Sequence, residues 1–226
     1  MNKKICDMTP IKLEEGYKTV IYLVRHGQSL GNKYGEFLGQ MDKDLSELGY
    51  EQAERTAEFL DSVPFDVIYS SDLMRAHNTA VPHARRHGLE INDCKELREM
   101  NAGLWEGMLI SELIANHSEA FLGEWRGNFG LATLPGGENV QDAAKRFFNA
   151  VKKIAEDNEG KTILITAHAA VIRGFWGIIS NIEPKDLAST TVYSDNAAVS
   201  MVYYDGEKLI PGEYSHSAHL VDLLEE

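Results

Sequence analysis

Short apolar runs alternate with longer segments of helical periodicity along most of this chain. Residues 162–166 form a fully apolar run, which is typical of a buried strand in a parallel sheet. Similar short runs predict further strands at residues 19–24, 66–69 and 89–91. Residues 197–204 and 208–210, joined by Asp205-Gly206, predict a closing hairpin.

Helical periodicity fills the intervals between these strands. Val140, Ala144, Phe147 and Val151 fall on one face of a predicted helix over residues 138–157. Further helices are predicted at residues 46–62, 72–87 and 170–180. Strands that alternate with helices predict an α/β fold with a mostly parallel central sheet and helices on both faces.

The domain organisation predicted from this pattern is simple. Residues 1–18 are mixed and polar, and we expect an N-terminal extension there. Residues 19–226 are expected to form one α/β domain, which is within the size that a single domain reaches. Residues 107–134 fit no strand–helix unit and are predicted to form a helical excursion over the sheet edge.

Composition narrows the possible partners. The formal net charge of −13 argues against a nucleic acid or an anionic membrane as a partner. No apolar stretch approaches the ~20 residues of a membrane helix, and the first residues lack an apolar signal-peptide core. A cytoplasmic location is therefore expected. Cys6 and Cys94 have no metal-ligand spacing and are expected to be free thiols.

Candidate chemistry begins at the end of the first predicted strand. The triplet Arg25-His26-Gly27 places an imidazole and a guanidinium at the carboxyl edge of the sheet, where open α/β folds bind ligands. Histidine can act as a nucleophile, and guanidinium donors fit phosphate oxygens. Taken alone, the triplet is equally compatible with a histidine that merely satisfies a carbonyl group.

Three further polar segments begin where apolar runs end, at residues 70–76, 96–107 and 165–173. They are expected to bring a second histidine, a second arginine and a carboxylate to the same edge. Arg75 alone is also compatible with a surface ion pair to Asp72. The carboxylate has three candidates, which are Glu96, Glu99 and Glu106.

Six ordered motifs between about residues 19 and 204 resemble the histidine phosphatase superfamily, the phosphoglycerate mutase-like proteins. They are Leu23 to Ser29 with Asn32, Ser71 to Ala80, Leu97 to Gly107, Pro135 to Asn139, the segment around His168, and Asn196 to Ser200. The resemblance implies a phosphoglycerate mutase-like α/β fold.

The resemblance also implies a role for each matching residue. His26 would take the phosphoryl group, and Glu99 would protonate the leaving oxygen and then activate water. The residues implied to bind or border the phosphate are Arg25, Asn32, Arg75, His168, Gln28, Ser29 and Gly39. No metal or other cofactor is implied, because these cations would themselves neutralise the phosphoryl charge.

One position departs from the family pattern. Ala169 follows His168 where the family usually has glycine, so a positive φ there would strain the backbone and the side chain would narrow the pocket.

Several other residues have open or ordinary interpretations. His83 and His87 are spaced to bind a metal, but a solvated helix face is favoured. His216 and His219 lie in a polar tail and receive no role. Four aromatic residues of the central segment could line a pocket or simply pack; they are Trp105, Phe121, Trp125 and Phe129.

The expected function is hydrolysis of a small phosphorylated metabolite through phospho-His26. The alternatives are a mutase and a catalytically silent phosphate-binding module. Mutases that this chain resembles carry a longer, basic insertion after the motif that ends at Gly107. In this chain the corresponding segment is shorter, and its basic residues are Arg126 and His117, against three glutamates. That difference favours hydrolysis. The substrate and the oligomeric state are left open by the sequence.

Overall fold

The computed structural model describes residues 16–223, and in this range six strands form one sheet in the order β3-β2-β4-β1-β5-β6. The strands are β1 Thr19–Arg25, β2 Val67–Ser70, β3 Ile91–Asp93, β4 Thr162–Ala167, β5 Val199–Tyr204 and β6 Leu209–Pro211. The first four pair in parallel, and the last two add an antiparallel edge. The mostly parallel α/β prediction is confirmed.

Helices cover both faces of this sheet. They are α1 Leu30–Tyr34, α2 Glu47–Phe59, α3 Met74–His87, α4 Ile110–Asn116, α5 Val140–Asp157, α6 Ala169–Ile179 and α7 Leu187–Thr190. Ile21 and Phe147 belong to the core on one face, whereas Tyr22 and Leu60 belong to the core on the other. Alternate residues of β1 therefore supply both cores, as the pleat of a strand requires.

Backbone pairing with the sheet begins within the last residues of the predicted N-terminal extension. Residues 1–15 of that extension lie outside the described residues. Within the described part, the Lys18 N–H donates to the Tyr204 carbonyl at 2.7 Å, so backbone pairing begins just before β1. No helix between residues 16 and 223 is both long and apolar enough to span a membrane.

The glycine-containing segment after β1 contains the short helix α1. Ser29 caps this helix by accepting from the Asn32 N–H, and the Asn32 side chain accepts from the Ser29 N–H in return. Gly35 ends the helix with a φ of 70°. A reciprocal cap thus offsets the cost of placing Gly31 inside a helix.

The segment at residues 107–134 contains α4, the π-helix Glu119–Gly127 and the 3-10 turn Phe129–Leu131. Phe121, Trp125 and Phe129 are buried within it. Phe37 lies against this segment, with its ring centroid 5.2 Å from that of Trp125 and 6.2 Å from that of Phe121. These aromatic contacts attach the segment to the loop that follows α1.

Two histidine pairs differ from their sequence-based interpretations. His83 is fully buried against Phe65, so the expected solvated helix face is wrong at that position. His216 and His219 stack on Phe59 at 5.4 and 4.3 Å instead of lying in a solvated tail. In both cases the imidazole packs against an aromatic ring.

We predict that His83 makes the fold sensitive to acid. Burial lowers its pKa from 6.5 to about 3, and neither ring nitrogen has a partner among the described residues. Its stabilising contribution is therefore complete above about pH 6.5 and is lost as the pH falls towards 3. Between pH 7 and pH 5 this loss is roughly 1–2 kcal/mol of unfolding free energy.

Denaturant unfolding of His83→Leu at both pH values measures this contribution, because the variant should lose that much less stability than the unsubstituted protein. His117→Leu makes the same change at an exposed site and serves as the control. An equal loss of stability in His83→Leu and the parent would contradict the prediction.

Candidate active site

The carboxyl ends of β1, β2 and β4 meet at one edge of the sheet. Arg25 pairs in register with Ala167, so His26 and His168 follow the ends of neighbouring strands. Gly27 lets the chain after His26 pass against α2, since a Cβ there would lie 2.4 Å from the Gly49 carbonyl oxygen. The strand register and this close approach fix the position of His26.

A pocket opens at this edge. Its lining includes six of the residues singled out from the sequence, which are Arg25, His26, Asn32, Gly39, Arg75 and Glu99. Gln28, Ser29 and His168 are not in the lining. The structure therefore brings four catalytic candidates, His26, Glu99, Arg25 and Arg75, into one pocket, whereas the fifth, His168, lies outside its lining.

His26 is held in one tautomer. Its Nδ1 lies 2.7 Å from the Gly27 carbonyl oxygen, which can only accept, so Nδ1 carries the proton. Burial and the nearby Arg75 and Arg25 guanidiniums lower its pKa well below the ordinary value. His26 is therefore neutral, with the lone pair of Nε2 left free.

His168 lies next to His26. Its side chain is fully buried, and its ring centroid lies 5.2 Å from that of His26. His168 Nε2 lies 2.8 Å from the Ser71 Oγ, while Nδ1 has no partner. Burial, with Arg75 second, also keeps its pKa well below the ordinary value.

Arg75 is a buried residue rather than a surface one. Its Nη1 donates to the Met41 carbonyl at 2.9 Å and its Nη2 donates to the Gly39 carbonyl at 2.8 Å. Asp72, the partner considered from the sequence, is bound by Arg98 at 2.6 Å instead. Burial lowers the pKa of Arg75 to about 10, so its charge persists at neutral pH.

Arg25 is held in a similar way, because its Nη1 donates to the Ser194 carbonyl. The Nε atoms of Arg25 and Arg75 and the Nδ1 of His168 are buried without a partner among the described residues. Buried unpaired polar groups are costly and call for an explanation. Clustered cations with unused donors are best explained by an anion that binds between them.

Glu99 is the only one of the three glutamate candidates that lines the pocket. The N–H groups of Ala170 and Val171, at the start of α6, donate to its carboxylate at 3.0 and 3.1 Å. The Met100 N–H donates to it at 2.9 Å. These three donors fix the orientation of the carboxylate beside Arg25 and Arg75.

The two competing glutamates have other contacts. The Glu106 carboxylate accepts from the N–H groups of Gln40 and Ala102 at 2.8 and 3.1 Å, so it braces two loops. Glu96 accepts from the Cys94 thiol at the protein surface. Neither carboxylate lies in the pocket lining.

Of three further predicted residues, Asn32 lines the pocket, whereas Ser29 and Gln28 do not. The Asn32 Oδ1 accepts from Ser29 and Asn196, which leaves the Asn32 amide NH2 available to a ligand. Ser29 caps α1, and the Gln28 Oε1 accepts from the Ser46 Oγ at 2.7 Å. Ser29 and Gln28 are thus engaged in the structure around the pocket.

Ala169 lies in the pocket lining without backbone strain. It is the first residue of α6, and it is not among the described residues with positive φ. The strain considered from the sequence is therefore absent, since a helix can begin with alanine as readily as with glycine. A positive φ of 60° occurs instead at Ala197, whose N–H donates to the His26 carbonyl at 3.2 Å.

Sequence reasoning missed Tyr193, which lines the pocket from a segment that follows α7. Arg173 stacks on its ring at 4.5 Å and donates to the Thr191 carbonyl at 2.6 Å. No local pattern around Tyr193 signals this placement. Trp125, which the sequence left open, is also in the lining, whereas Trp105 and Phe129 are buried outside it.

A buried imidazole with a free nitrogen, two guanidiniums and a carboxylate thus lie together in one pocket. Residues 21–213 match the family model of the histidine phosphatase superfamily (branch 1), and the chain belongs to this family. It is 31% identical over 208 residues to the metal-independent phosphoserine phosphatase of Arabidopsis thaliana, covering 91% of this chain and 85% of that one.

Other comparisons span the same family. A mycobacterial glucosyl-3-phosphoglycerate phosphatase, solved as a complex with VO3, superposes with a TM-score of 0.80 and 27% identity over 88% of this chain and 99% of its own. A 2,3-bisphosphoglycerate-dependent phosphoglycerate mutase of Gloeobacter violaceus is 29% identical over 76% of this chain and 81% of its own. Phosphatases and mutases are therefore both among its relatives.

We predict that inorganic phosphate binds this site through the planar N–H donors of the Arg75 guanidinium. Arg75→Lys keeps the charge but cannot supply the same planar donors, so phosphate affinity should fall about tenfold or more. Isothermal titration with phosphate measures it, and Arg85→Lys, which alters a surface arginine paired with Glu54, is the matched control. Unchanged phosphate affinity in Arg75→Lys would contradict the anion site.

Proposed function

We propose that this protein hydrolyses small phosphomonoesters through a phosphoryl group carried on Nε2 of His26. The observation that carries the proposal is the unprotonated Nε2 of His26 beside the guanidiniums of Arg25 and Arg75, whose buried Nε donors are unused among the described residues. A nucleophile and a charge-complementary cradle for phosphoryl oxygens are the two components that phosphoryl transfer needs.

The first step forms the phosphoenzyme. The Nε2 lone pair attacks phosphorus as the bond to the ester oxygen breaks, and Glu99 donates a proton to that oxygen. Arg25 and Arg75 stabilise the charge on the phosphoryl oxygens, and Asn32 and His168 add hydrogen bonds. The alcohol then leaves.

The second step uses the same groups in reverse. The Glu99 carboxylate takes a proton from a water molecule as the water oxygen attacks phosphorus and the P–N bond breaks. Inorganic phosphate leaves, His26 regains its neutral form, and Glu99 is protonated for the next turnover. No step requires a metal ion, because the guanidiniums provide the positive charge.

Hydrolysis is proposed over mutase activity on the charge around the pocket. Only Arg25, Arg75 and His26 are basic among the described lining residues, and all three belong to the phosphoryl site. A mutase substrate with a second anionic group would find no further cation there. A catalytically silent binding module would not need the oriented Glu99.

The remaining parts of the proposal concern context. We propose residues 19–226 as one domain that includes the helical segment at 107–134, acting in the cytoplasm on a small phosphorylated metabolite. The net charge of −13 supports a partner other than nucleic acid or an anionic membrane.

Loss of the nucleophile is the first test. His26→Ala should reduce kcat on any phosphomonoester by about a thousandfold or more, since covalent catalysis is removed. The variant should keep its folded structure and still bind inorganic phosphate through Arg25 and Arg75. Retention of more than about a tenth of the original rate would exclude His26 as the nucleophile.

The role of Glu99 is tested by the leaving group. Glu99→Gln should lower kcat/KM for an alkyl phosphate about a hundredfold, but far less for 4-nitrophenyl phosphate, whose oxygen leaves without a proton. Because kcat/KM reports steps only up to phosphoenzyme formation, the later hydrolysis does not obscure the comparison. Glu96→Gln and Glu106→Gln are the controls, and equal losses of Glu99→Gln on both esters would move the acid elsewhere.

Product partition separates phosphatase from mutase. With 3-phosphoglycerate and a trace of the 2,3-bisphosphate, we expect phosphate release to exceed isomerisation. The reason is that the described lining holds no cation outside the phosphoryl site to retain the carboxylate while transfer occurs. Coupled assays of phosphate and of 2-phosphoglycerate measure both rates. Isomerisation faster than release would establish the mutase instead.

A further inference from the structure

The part of the pocket beyond the phosphoryl site has an apolar lining. Its side chains come from the loop after α1, from the residue that follows Glu99, from α4, from the π-helix and from the segment after α7; they are Phe37, Leu38, Met100, Ile110, Trp125 and Tyr193. The alcohol portion of an ester bound at His26 would lie against these residues. Apolar surface of this kind favours the burial of carbon atoms.

Aromatic contacts hold this lining in place. The Trp125 ring lies 5.2 Å from Phe37 and 6.3 Å from Tyr193 by centroid. Arg173 stacks on Tyr193 and on Phe129, at 4.5 and 4.6 Å, and is fixed by hydrogen bonds to the segment around Thr191. The wall is therefore part of the packed structure.

The charges near this wall are already paired or lie outside it. Glu36 is the one charged side chain of the described lining apart from those at the phosphoryl site, and its carboxylate pairs with Lys43. Arg126 stacks over the Phe121 ring at 5.1 Å and is not in the lining. An anionic alcohol portion would be desolvated against apolar side chains and would find no cation in the described lining beyond the phosphoryl site.

We infer that the preferred substrates are phosphomonoesters of uncharged apolar or aromatic alcohols, and that a carboxylate on the alcohol portion is selected against. This inference rests on the proposed phosphatase function and adds a substrate class to it. It separates the chain from relatives whose names refer to phosphoserine or phosphoglycerate, because both of those esters carry a carboxylate.

The test compares two esters that differ only at the end of the alcohol. n-Butyl phosphate ends in a methyl group, and 4-phosphonooxybutanoate ends in a carboxylate. We expect kcat/KM to favour the butyl ester by about tenfold or more, since the carboxylate would be desolvated without a partner.

A second pair tests whether the wall prefers cations. Phosphocholine and 3,3-dimethylbutyl phosphate have the same shape, but only the former carries a positive charge. Because the Glu36 carboxylate is already paired with Lys43, the neutral ester should be hydrolysed at least as well. A clear preference for phosphocholine would replace the apolar class with a cationic one and overturn the inference.

A substitution tests the wall itself. Ile110→Lys adds a cation to the pocket lining and should reduce the butyl preference about tenfold by improving kcat/KM for the carboxylate ester. Ile114→Lys, on the same helix but exposed and outside the lining, should leave the preference unchanged. Circular dichroism and inhibition by inorganic phosphate confirm that each variant is folded with an intact phosphoryl site.

The outcomes distinguish the two proposals. If no ester is hydrolysed, the proposed function itself is wrong. If the esters are hydrolysed through His26 but the carboxylate ester is equal or better, only the substrate class is wrong. An unaltered preference in folded Ile110→Lys would also exclude this wall as the determinant.

Discussion

The placement of two guanidinium groups at the end of a parallel sheet, on the half-buried Arg25 and the buried Arg75, is the constraint on which the rest of this structure depends. Arg25 and Arg75 are held by backbone carbonyl groups, and their Nε atoms have no partner among the described residues. Both guanidiniums lower the pKa of His26, after burial itself. The same charges that call for a phosphate anion thus also keep the nucleophile unprotonated.

Backbone groups of the surrounding fold position the other residues of the site. Two backbone N–H groups at the start of α6 donate to the Glu99 carboxylate and orient it. The Gly27 carbonyl oxygen accepts from His26 Nδ1 and thereby fixes the tautomer. Because strands β1 and β4 pair in parallel register, these groups share one edge of the sheet. The segment that follows Gly107 adds Ile110 and Trp125 to the lining of the same pocket.

Much of this arrangement could be predicted from local sequence, for reasons that also explain the failures. Buried strands and their polar ends are local patterns, so the position of His26 could be predicted from them. The choice of Glu99 among three glutamates rested on the resemblance of Leu97 to Gly107 to the family motif. Tyr193 is held at the pocket by stacking with Arg173 and by ring contacts with Trp125 and Phe129, which are all tertiary contacts. His83 is buried because of its packing against Phe65, and helical periodicity alone does not reveal that neighbour.

The most direct test of the account is to identify the nitrogen that carries the phosphoryl group. The enzyme is quenched in base during turnover of an alkyl phosphate, and the adduct is located by tandem mass spectrometry and by phosphorus–nitrogen coupling in NMR of isotope-labelled histidine. We predict a phosphoryl group on Nε2 of His26, because Nδ1 is occupied by its hydrogen bond to Gly27. An adduct on Nδ1, on His168 or on any other residue would contradict it.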